Sequence, residues 1–289
     1  MPESNAALAR FIIPTGLTLA NAIAGLAAIL SIHRYDPQDL STWSFLYWSI
    51  SLLFLAMIFD ALDGLAARLM RSTSDFGAEL DSLCDGISFG LVPAYLLWSV
   101  YGQGGWLLEN QIWGILITLY LSCTLLRLAR FNLQRTIQDK ADGKKFIGLP
   151  SPAAAGCICT LVLLQGRIDV GLGISTSHPR FELVFGEMMR VLAPLAAFFV
   201  SILMISSVPF PHPSRELLGN PKSSTRKRKA PLFPTSVLVL LIVCAFTRSL
   251  DLMMVAGFWG FAIRGLLQWS LGKPKKKAQS NEVSARLTT

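Results

Sequence analysis

Four aspartates lie in stretches of this chain that are otherwise apolar: Asp60, Asp63, Asp81 and Asp85. Carboxylates in so apolar a setting are costly, so they usually pair, bind cations or take part in function. Four negative charges brought close together repel strongly, and either protonation or intervening cations relieve that repulsion. Carboxylate oxygens suit hard divalent cations. The aspartates are therefore the first candidates for a metal-dependent chemistry.

The spacing of the aspartates predicts two helical stripes that face each other. Asp60 and Asp63 share one stripe with two small residues, at positions i, i+3, i+4 and i+7. Asp81 and Asp85 share a second stripe with a glycine, at positions i, i+4 and i+8 of the next helix. The small residues are Gly64, Ala67 and Gly77. Two facing stripes would gather the four carboxylates around a small cavity.

The composition is typical of a polytopic membrane protein. The chain has 289 residues, of which 52% are hydrophobic and 15% charged, and its mean hydropathy is +0.50. Its five cysteines are scattered without metal-ligand spacing, so we interpret them as buried small side chains. The basic residues behind the net charge of +8 lie in loops beside apolar stretches. This arrangement favours anionic membrane lipids, and not nucleic acid, as the partner.

Eight stretches are long and apolar enough to be predicted as membrane-spanning helices, so the fold class is all-α. They are 12–32, 43–66, 82–103, 112–131, 152–169, 190–208, 232–249 and 252–271. Most of the 26 Lys and Arg residues fall on one side, which predicts that both termini and the turn Arg68–Arg71 are cytoplasmic. The predicted regions are a membrane core 1–210, a basic loop 211–231, two further spans in 232–271 and a basic tail 272–289.

The aspartates belong to a longer string, Asp60-x2-Asp63-Gly64-x2-Ala67-Arg68-x8-Gly77-x3-Asp81-x3-Asp85. Every fixed position of this string matches the signature of the CDP-alcohol phosphatidyltransferases, a family that the chain therefore resembles. The resemblance implies transfer of a phosphatidyl or similar group from a CDP-linked donor to an alcohol. It also implies a homodimer whose six-helix core surrounds a cavity open to the cytoplasm, with two C-terminal spans added here.

The resemblance also implies roles for the four aspartates. Asp60, Asp63 and Asp81 are expected to bind Mg²⁺ or Mn²⁺, with two ions in each active site. Asp85 is expected to act as the general base that takes the proton of the attacking hydroxyl, while also touching a metal. Divalent cations would clamp the pyrophosphate of the donor and offset the charge on the departing CMP.

Other residues of the string are candidates for binding the nucleotide donor. Gly64 and Ala67 have no bulk, so a nucleotide can approach the helix backbone closely. Arg68 can hold phosphate with its planar guanidinium. Gly77 allows close approach of a helix or of the nucleotide one turn before Asp81.

Three further polar residues have two interpretations each. Ser74 can donate to a phosphate or cap the second aspartate helix, and the cap is favoured. Thr18 and Asn21 lie three positions apart in the first span. The resemblance implies a nucleotide role for both, whereas interhelical hydrogen bonding is the structural alternative.

Two later stretches, 127–132 and 146–155, resemble the phosphatidylserine synthase branch of the family, as do Ser88-Phe89-Gly90 and the spacing of Pro14, Thr18 and Asn21. Serine carries a carboxylate that an arginine fork can bind and an ammonium that needs an acceptor. The candidates for binding serine are Arg127, Arg130, Asn132 and Ser151. For the two arginines, a role in membrane topology is the alternative.

The resemblance thus implies that CDP-diacylglycerol and L-serine give phosphatidylserine and CMP. The length and compactness of the chain favour the bacterial inner membrane over the endoplasmic reticulum as its location. One alternative is the same chemistry with inositol phosphate, glycerol 3-phosphate or choline as the acceptor. A second alternative is a cation channel or transporter that uses the four carboxylates as an ion site. That alternative leaves Gly64, Ala67, Arg68 and Gly77 without a role.

Overall fold

The structure, a computed structural model, describes residues 2–70, 74–102, 107–138, 148–170, 179–208 and 250–271. These residues are helical apart from short connections, as the all-α prediction expects. The helices are α1 (Pro2–Ile32), α2 (Trp43–Leu69), α3 (Asp75–Asp85), a π-helical segment (Gly86–Leu91), α4 (Val92–Tyr101), α5 (Leu107–Gln138), α6 (Ser151–Asp169), α7 (Pro179–Ile205) and α8 (Leu250–Leu271). A short 3-10 turn, Leu40–Thr42, precedes α2.

Four stretches of the described chain are long and apolar enough to cross a membrane: Ile12–Ile32, Leu40–Leu69, Asp75–Tyr101 and Gln111–Leu133. Shorter apolar stretches occupy Val191–Ile205 and Leu252–Leu267. Eight crossings are therefore not confirmed, although helices do occupy seven of the eight predicted positions. The predicted span 232–249, the basic loop 211–231 and the tail 272–289 lie outside the described residues.

The outer surface of the bundle is apolar. Ile23, Leu30 and Ile115 are each exposed by more than 60%, and such side chains are stable only where lipid replaces water. The interior is packed by small side chains where helices approach closely. Ala28 of α1 and Ala56 of α2 are fully buried, and these two helices pack along each other. This pairing brings the polar face of α1 beside the aspartates of α2.

The helix that carries Asp81 and Asp85 begins at Asp75, seven residues before the predicted span at 82. Its first two turns carry the charged residues Asp75, Glu79 and Asp81, so the span predicted from hydropathy begins after them. Ser74 caps this turn, since its Oγ accepts a hydrogen bond of 3.0 Å from the amide of Gly77. Ser74 therefore forms the helix cap, which is the interpretation that the sequence favours.

The start of α6 is fixed to the end of α7 by backbone hydrogen bonds. The amide of Gly148 donates to the carbonyl of Val208 over 2.9 Å, and that of Leu149 donates to Leu203 over 3.1 Å. Gly148 has a φ of +91°, and a Cβ there would collide with the carbonyl oxygen of Met204. Only glycine fits this position without strain.

Gly148→Ala is expected to lower the free energy of unfolding by roughly 1–3 kcal/mol, because alanine is strained at positive φ. Thermal unfolding of the detergent-solubilised protein measures the change. The matched control is Gly114→Ala in α5, where an added Cβ meets no atom within 4 Å. The control should leave the midpoint unchanged or raise it. Equal midpoints for the two variants would contradict the prediction.

The helix α8 packs against α6 and extends the core. Phe258 stacks on Phe54 of α2 with 5.9 Å between ring centroids, and it contacts the Gly156 backbone face of α6. The indole of Trp259 donates to Thr160 Oγ1 over 3.2 Å. These contacts give α8 a packing role.

Candidate active site

Three of the predicted aspartates form one carboxylate cluster. Asp60 and Asp63 extend from α2, and Asp81 extends from α3. One oxygen from each of the three carboxylates lies within 4.8 Å of the other two. The two predicted helical stripes therefore do face each other, as their spacing indicates.

Polar side chains of α1 contact two of the aspartates. Thr18 Oγ1 donates to Asp63 Oδ2 over 2.7 Å, and Asn21 Nδ2 donates to Asp85 Oδ1 over 3.1 Å. All four residues are at least nine-tenths buried. Thr18 and Asn21 therefore make the interhelical hydrogen bonds that the sequence left as one of two interpretations. Each bond fixes the orientation of a carboxylate.

Arg127 of α5 supplies a positive charge beside the aspartates. Its guanidinium is close enough to Asp60 and Asp85 for Coulombic attraction. Its Nη1 donates to Ser151 Oγ over 2.7 Å, across the gap between α5 and α6. One guanidinium cannot neutralise four carboxylates, so the site retains an excess of negative charge that attracts cations.

Asn21 Oδ1 and Arg127 Nε are buried polar atoms of the site that have no hydrogen-bond partner within the described part of the chain. A buried polar atom without a partner is costly, and a ligand or water commonly satisfies it. Asn21 can therefore accept a hydrogen bond from a bound molecule, and Arg127 can donate one. The Asn21 side chain also contacts Asp85, and Arg127 also contacts Ser151.

The other two residues that were predicted to bind serine lie in different surroundings. Arg130 Nη1 donates to the carbonyl of Ile205 at the end of α7, over 3.1 Å. Asn132 accepts a hydrogen bond of 3.0 Å from Ser82 and donates one of 3.2 Å to Glu79. Arg127 and Ser151 thus contact each other near the aspartates. Arg130 instead contacts the end of α7, and Asn132 links α5 to α3.

Ser82 and Glu79 were not predicted from the sequence as part of the site. The signal for them is weak, because polar residues on the first turns of an amphipathic helix usually face solvent. Ser82 directly follows Asp81 in the chain, and only the position of α5 shows that it contacts Asn132.

The predicted nucleotide residues lie at the end of α2 and at the start of α3. A Cβ built on Gly64 meets no atom within 4 Å, so its surroundings are open. Arg68 is exposed, and its Nε donates to the carbonyl of Gly64 over 2.8 Å. Ala67 is half-buried on the same helix, and Gly77 adjoins the cap formed by Ser74. Open backbone beside an exposed arginine suits a phosphate-bearing ligand.

The carboxylate cluster fits a divalent metal ion. Its donors are all oxygens, they converge within one coordination sphere, and open space beside Gly64 adjoins them. Mg²⁺ and similar ions bind through a few carboxylates together with substrate phosphate oxygens. The site can therefore hold a metal together with an anionic substrate, near the Asp85 carboxylate and the Arg127 guanidinium.

Comparison with known proteins gives consistent results. Residues 11–178 match the family model described as CDP-alcohol phosphatidyltransferase. Curated relatives from Mycobacterium leprae, Methanocaldococcus jannaschii and Bacillus subtilis all carry the name CDP-diacylglycerol–serine O-phosphatidyltransferase. Their identities to this chain are 32% over 177 residues, 40% over 139 residues and 31% over 212 residues, respectively.

The length covered differs among these relatives. The matches cover 61%, 48% and 73% of this chain, in the same order. The chain spans about half the length of the first two relatives, 54% of each, but 96% of the Bacillus subtilis protein. The family model itself covers more than half of the chain, from within α1 to the end of α6, and includes all four aspartates. With its apolar helices and complete aspartate signature, this integral membrane protein belongs to the CDP-alcohol phosphatidyltransferase family.

Proposed function

We propose that the protein transfers the phosphatidyl group of CDP-diacylglycerol to the hydroxyl of L-serine, giving phosphatidylserine and CMP. The serine oxygen forms a bond to the phosphorus that carries diacylglycerol. The bond from that phosphorus to the CMP oxygen breaks, and CMP leaves with the electron pair. The name shared by the relatives from three organisms supports this reaction.

The observation that carries the proposal is the position of Arg127. Its guanidinium donates to Ser151 and is near enough to Asp60 and Asp85 for Coulombic attraction. A small zwitterion bound there by its carboxylate would present its hydroxyl to Asp85 and to a donor phosphate at the carboxylate cluster. Choline has no carboxylate for a guanidinium to bind, and an aromatic cage would suit it better.

Asp60, Asp63 and Asp81 would hold Mg²⁺ or Mn²⁺, two ions in each active site, with Asp85 beside them. When bound, the ions neutralise the pyrophosphate oxygens and offset the charge that develops on CMP. Thr18 donates to one Asp63 oxygen over 2.7 Å and so fixes the orientation of a carboxylate of the cluster.

Asp85 takes the proton from the serine hydroxyl as the new bond to phosphorus forms. Its Oδ1 accepts a hydrogen bond from Asn21, which leaves its second oxygen for this proton. General bases contribute through position as well as through basicity, and the buried amide of Asn21 supplies that position.

The nucleotide part of the donor lies along the open cytoplasmic ends of α2 and α3. Gly64, Ala67 and Gly77 admit it close to the helix backbones, while Arg68 and Ser74 adjoin its phosphates. Asn21 Oδ1 can accept a hydrogen bond from a hydroxyl of the nucleotide, since this atom has no partner among the described residues. The acyl chains remain in the membrane beside the apolar outer faces.

The serine site comprises Arg127 and Ser151, with Arg130 and Asn132 at its edge. Arg127→Lys is expected to raise the KM for L-serine about tenfold, because lysine lacks the planar fork that binds carboxylates. The KM for CDP-diacylglycerol should stay within about twofold. Steady-state CMP release at varied concentrations of each substrate measures both constants.

Arg130→Lys serves as the comparison for this prediction. It should raise the KM for L-serine less, because the Arg130 guanidinium already donates to the carbonyl of Ile205. An increase confined to the KM of the donor in Arg127→Lys would assign Arg127 to the nucleotide site instead.

The protein works as a homodimer in the bacterial inner membrane, with both termini and the active site cytoplasmic. Its basic segments contact anionic lipids there. The excess of Lys and Arg on one side of the spans supports this orientation.

CMP release by the purified full-length protein tests the proposed reaction. The protein is given CDP-diacylglycerol and Mn²⁺, with and without L-serine, and with and without a chelator. We expect CMP release that requires both serine and metal. Release with only inositol phosphate, glycerol 3-phosphate or choline would retain the family chemistry and exclude serine as the acceptor.

A further inference from the structure

The helix that carries Asp81 and Asp85 changes its hydrogen-bonding pattern directly after Asp85. Residues Gly86–Leu91 are π-helical, and the amide of Val92 donates to the carbonyl of Ile87, five residues earlier. A π turn is rare, takes in an extra residue, and is frequent at functional sites. One extra residue rotates the two flanking α-helical parts by roughly 100° relative to each other. The segment therefore sets the direction of Asp85 relative to α4.

Tyr120 holds this π segment from the side of α5. Its side chain is fully buried, and its hydroxyl donates to the carbonyl of Phe89 over 2.9 Å. A Cβ on Gly90 would lie 3.1 Å from Leu121 Cδ1, so the π segment and α5 are in close contact. The hydroxyl of Tyr120 thus fixes a backbone carbonyl inside the irregular turn.

Ser88 holds the same segment from the side of α1. Its Oγ donates to the carbonyl of Asn21 over 3.0 Å, while the side chain of Asn21 donates to Asp85. A Cβ on Gly25 would lie 2.5 Å from Ser88 Oγ and 3.1 Å from Ser88 Cα. The approach of α1 therefore requires glycine at position 25. Asn21 takes part in both hydrogen bonds, through its backbone carbonyl and through its side chain. The position of Ser88 therefore affects the position from which Asn21 donates to Asp85.

We propose that the π segment is a positioning element for Asp85, held by Tyr120 and Ser88 as positioning residues. The proposal rests on the proposed function, which assigns proton transfer to Asp85. Tyr120 acts through the Phe89 carbonyl and Ser88 acts through Asn21. Loss of either hydroxyl lets the segment relax towards α-helical geometry, which turns Asp85 away from the attacking hydroxyl. The carboxylates of α2 remain in place.

The test compares Tyr120→Phe with Tyr101→Phe in the full-length protein reconstituted with CDP-diacylglycerol. The hydroxyl of Tyr101 is buried and has no partner in the described residues. It lies roughly 24 Å along the helix from Asp85, at 1.5 Å per residue, and its ring stacks on Trp113. Phenylalanine preserves each ring, so both variants lose one buried hydroxyl and only one of them loses a hydrogen bond.

Tyr120→Phe is expected to lower kcat on the order of tenfold and to change the donor KM less than about twofold, because misplacement of a reacting group affects turnover more than binding. Tyr101→Phe should change neither constant by more than about twofold. Ser88→Ala is a second test through Asn21 and should lower kcat in the same way. Full kcat in both Tyr120→Phe and Ser88→Ala, or an equal loss in Tyr101→Phe, would overturn the proposal.

A second measurement separates this proposal from the proposed function. Hydrogen exchange of the amides in residues 86–92 should be about tenfold faster in Tyr120→Phe than in wild type, and unchanged in Tyr101→Phe. If wild type transfers to another alcohol, the same kcat comparison is made with that alcohol. If wild type releases no CMP at all, the proposed function fails. Unchanged exchange in Tyr120→Phe overturns the positioning role whatever the reaction.

Discussion

Asp85→Asn is expected to lower kcat for serine-dependent CMP release by about 10²–10⁴-fold, the usual contribution of a positioned general base. The amide has nearly the same shape as the carboxylate, so packing around this buried position is preserved. It cannot accept the proton of the serine hydroxyl. The KM for CDP-diacylglycerol should change little, because Asp85 stands one turn beyond the carboxylate cluster on the same helix. Single-turnover CMP release and donor binding measure the two effects separately.

The matched control for this variant is Asp75→Asn, which removes a carboxylate from the same helix. Asp75 is exposed in the first turn of α3, away from the contacts of Asn21 and Arg127. Loss of its favourable interaction with the helix N-terminus costs about 1 kcal/mol of stability at most, so kcat should be retained. Normal turnover in Asp85→Asn would remove Asp85 as the base and leave the proton to water or to another carboxylate.

The relation between sequence and site differs from residue to residue. That Asp60 shares a helix face with Asp63, and Asp81 with Asp85, follows from helical periodicity, because positions i and i+3 or i+4 share a face. The first two turns of α3 were not included in the predicted span, since they carry Asp75, Glu79 and Asp81 and hydropathy selects only the apolar part of a helix. Its start at Asp75 depends on the cap supplied by Ser74.

Contacts between distant helices could not be predicted in the same way. Arg127 and Arg130 are three positions apart and read alike in the sequence, yet one contacts Ser151 and the other contacts the end of α7. The two arginines differ in their partners because the backbone bond of Gly148 to Val208 holds the start of α6 against the end of α7. The π segment likewise depends on Tyr120, which lies 31 residues away from Phe89 in the chain.

Asp81→Asn is expected to weaken metal dependence and activity together. The variant removes one of three converging carboxylates and leaves an amide oxygen, which is a poorer ligand for Mg²⁺ or Mn²⁺. We expect the metal concentration for half-maximal CMP release to rise at least about tenfold, equivalent to about 1.4 kcal/mol. Residual kcat at saturating metal should also fall, since less charge on the departing CMP is offset. Titration of the chelated protein with Mn²⁺ measures both quantities.

Asp75→Asn again provides the comparison, because it lies on the same helix and is not part of the cluster. Its metal titration should superimpose on that of wild type. The direction of the effect in Asp81→Asn also tests the electrostatic argument, since removing one negative charge lessens the repulsion among Asp60, Asp63 and Asp85. If repulsion dominated the site and no metal were needed, the variant would be more stable and just as active. An unchanged metal titration in Asp81→Asn would therefore contradict ligation by Asp81, even if activity were lost.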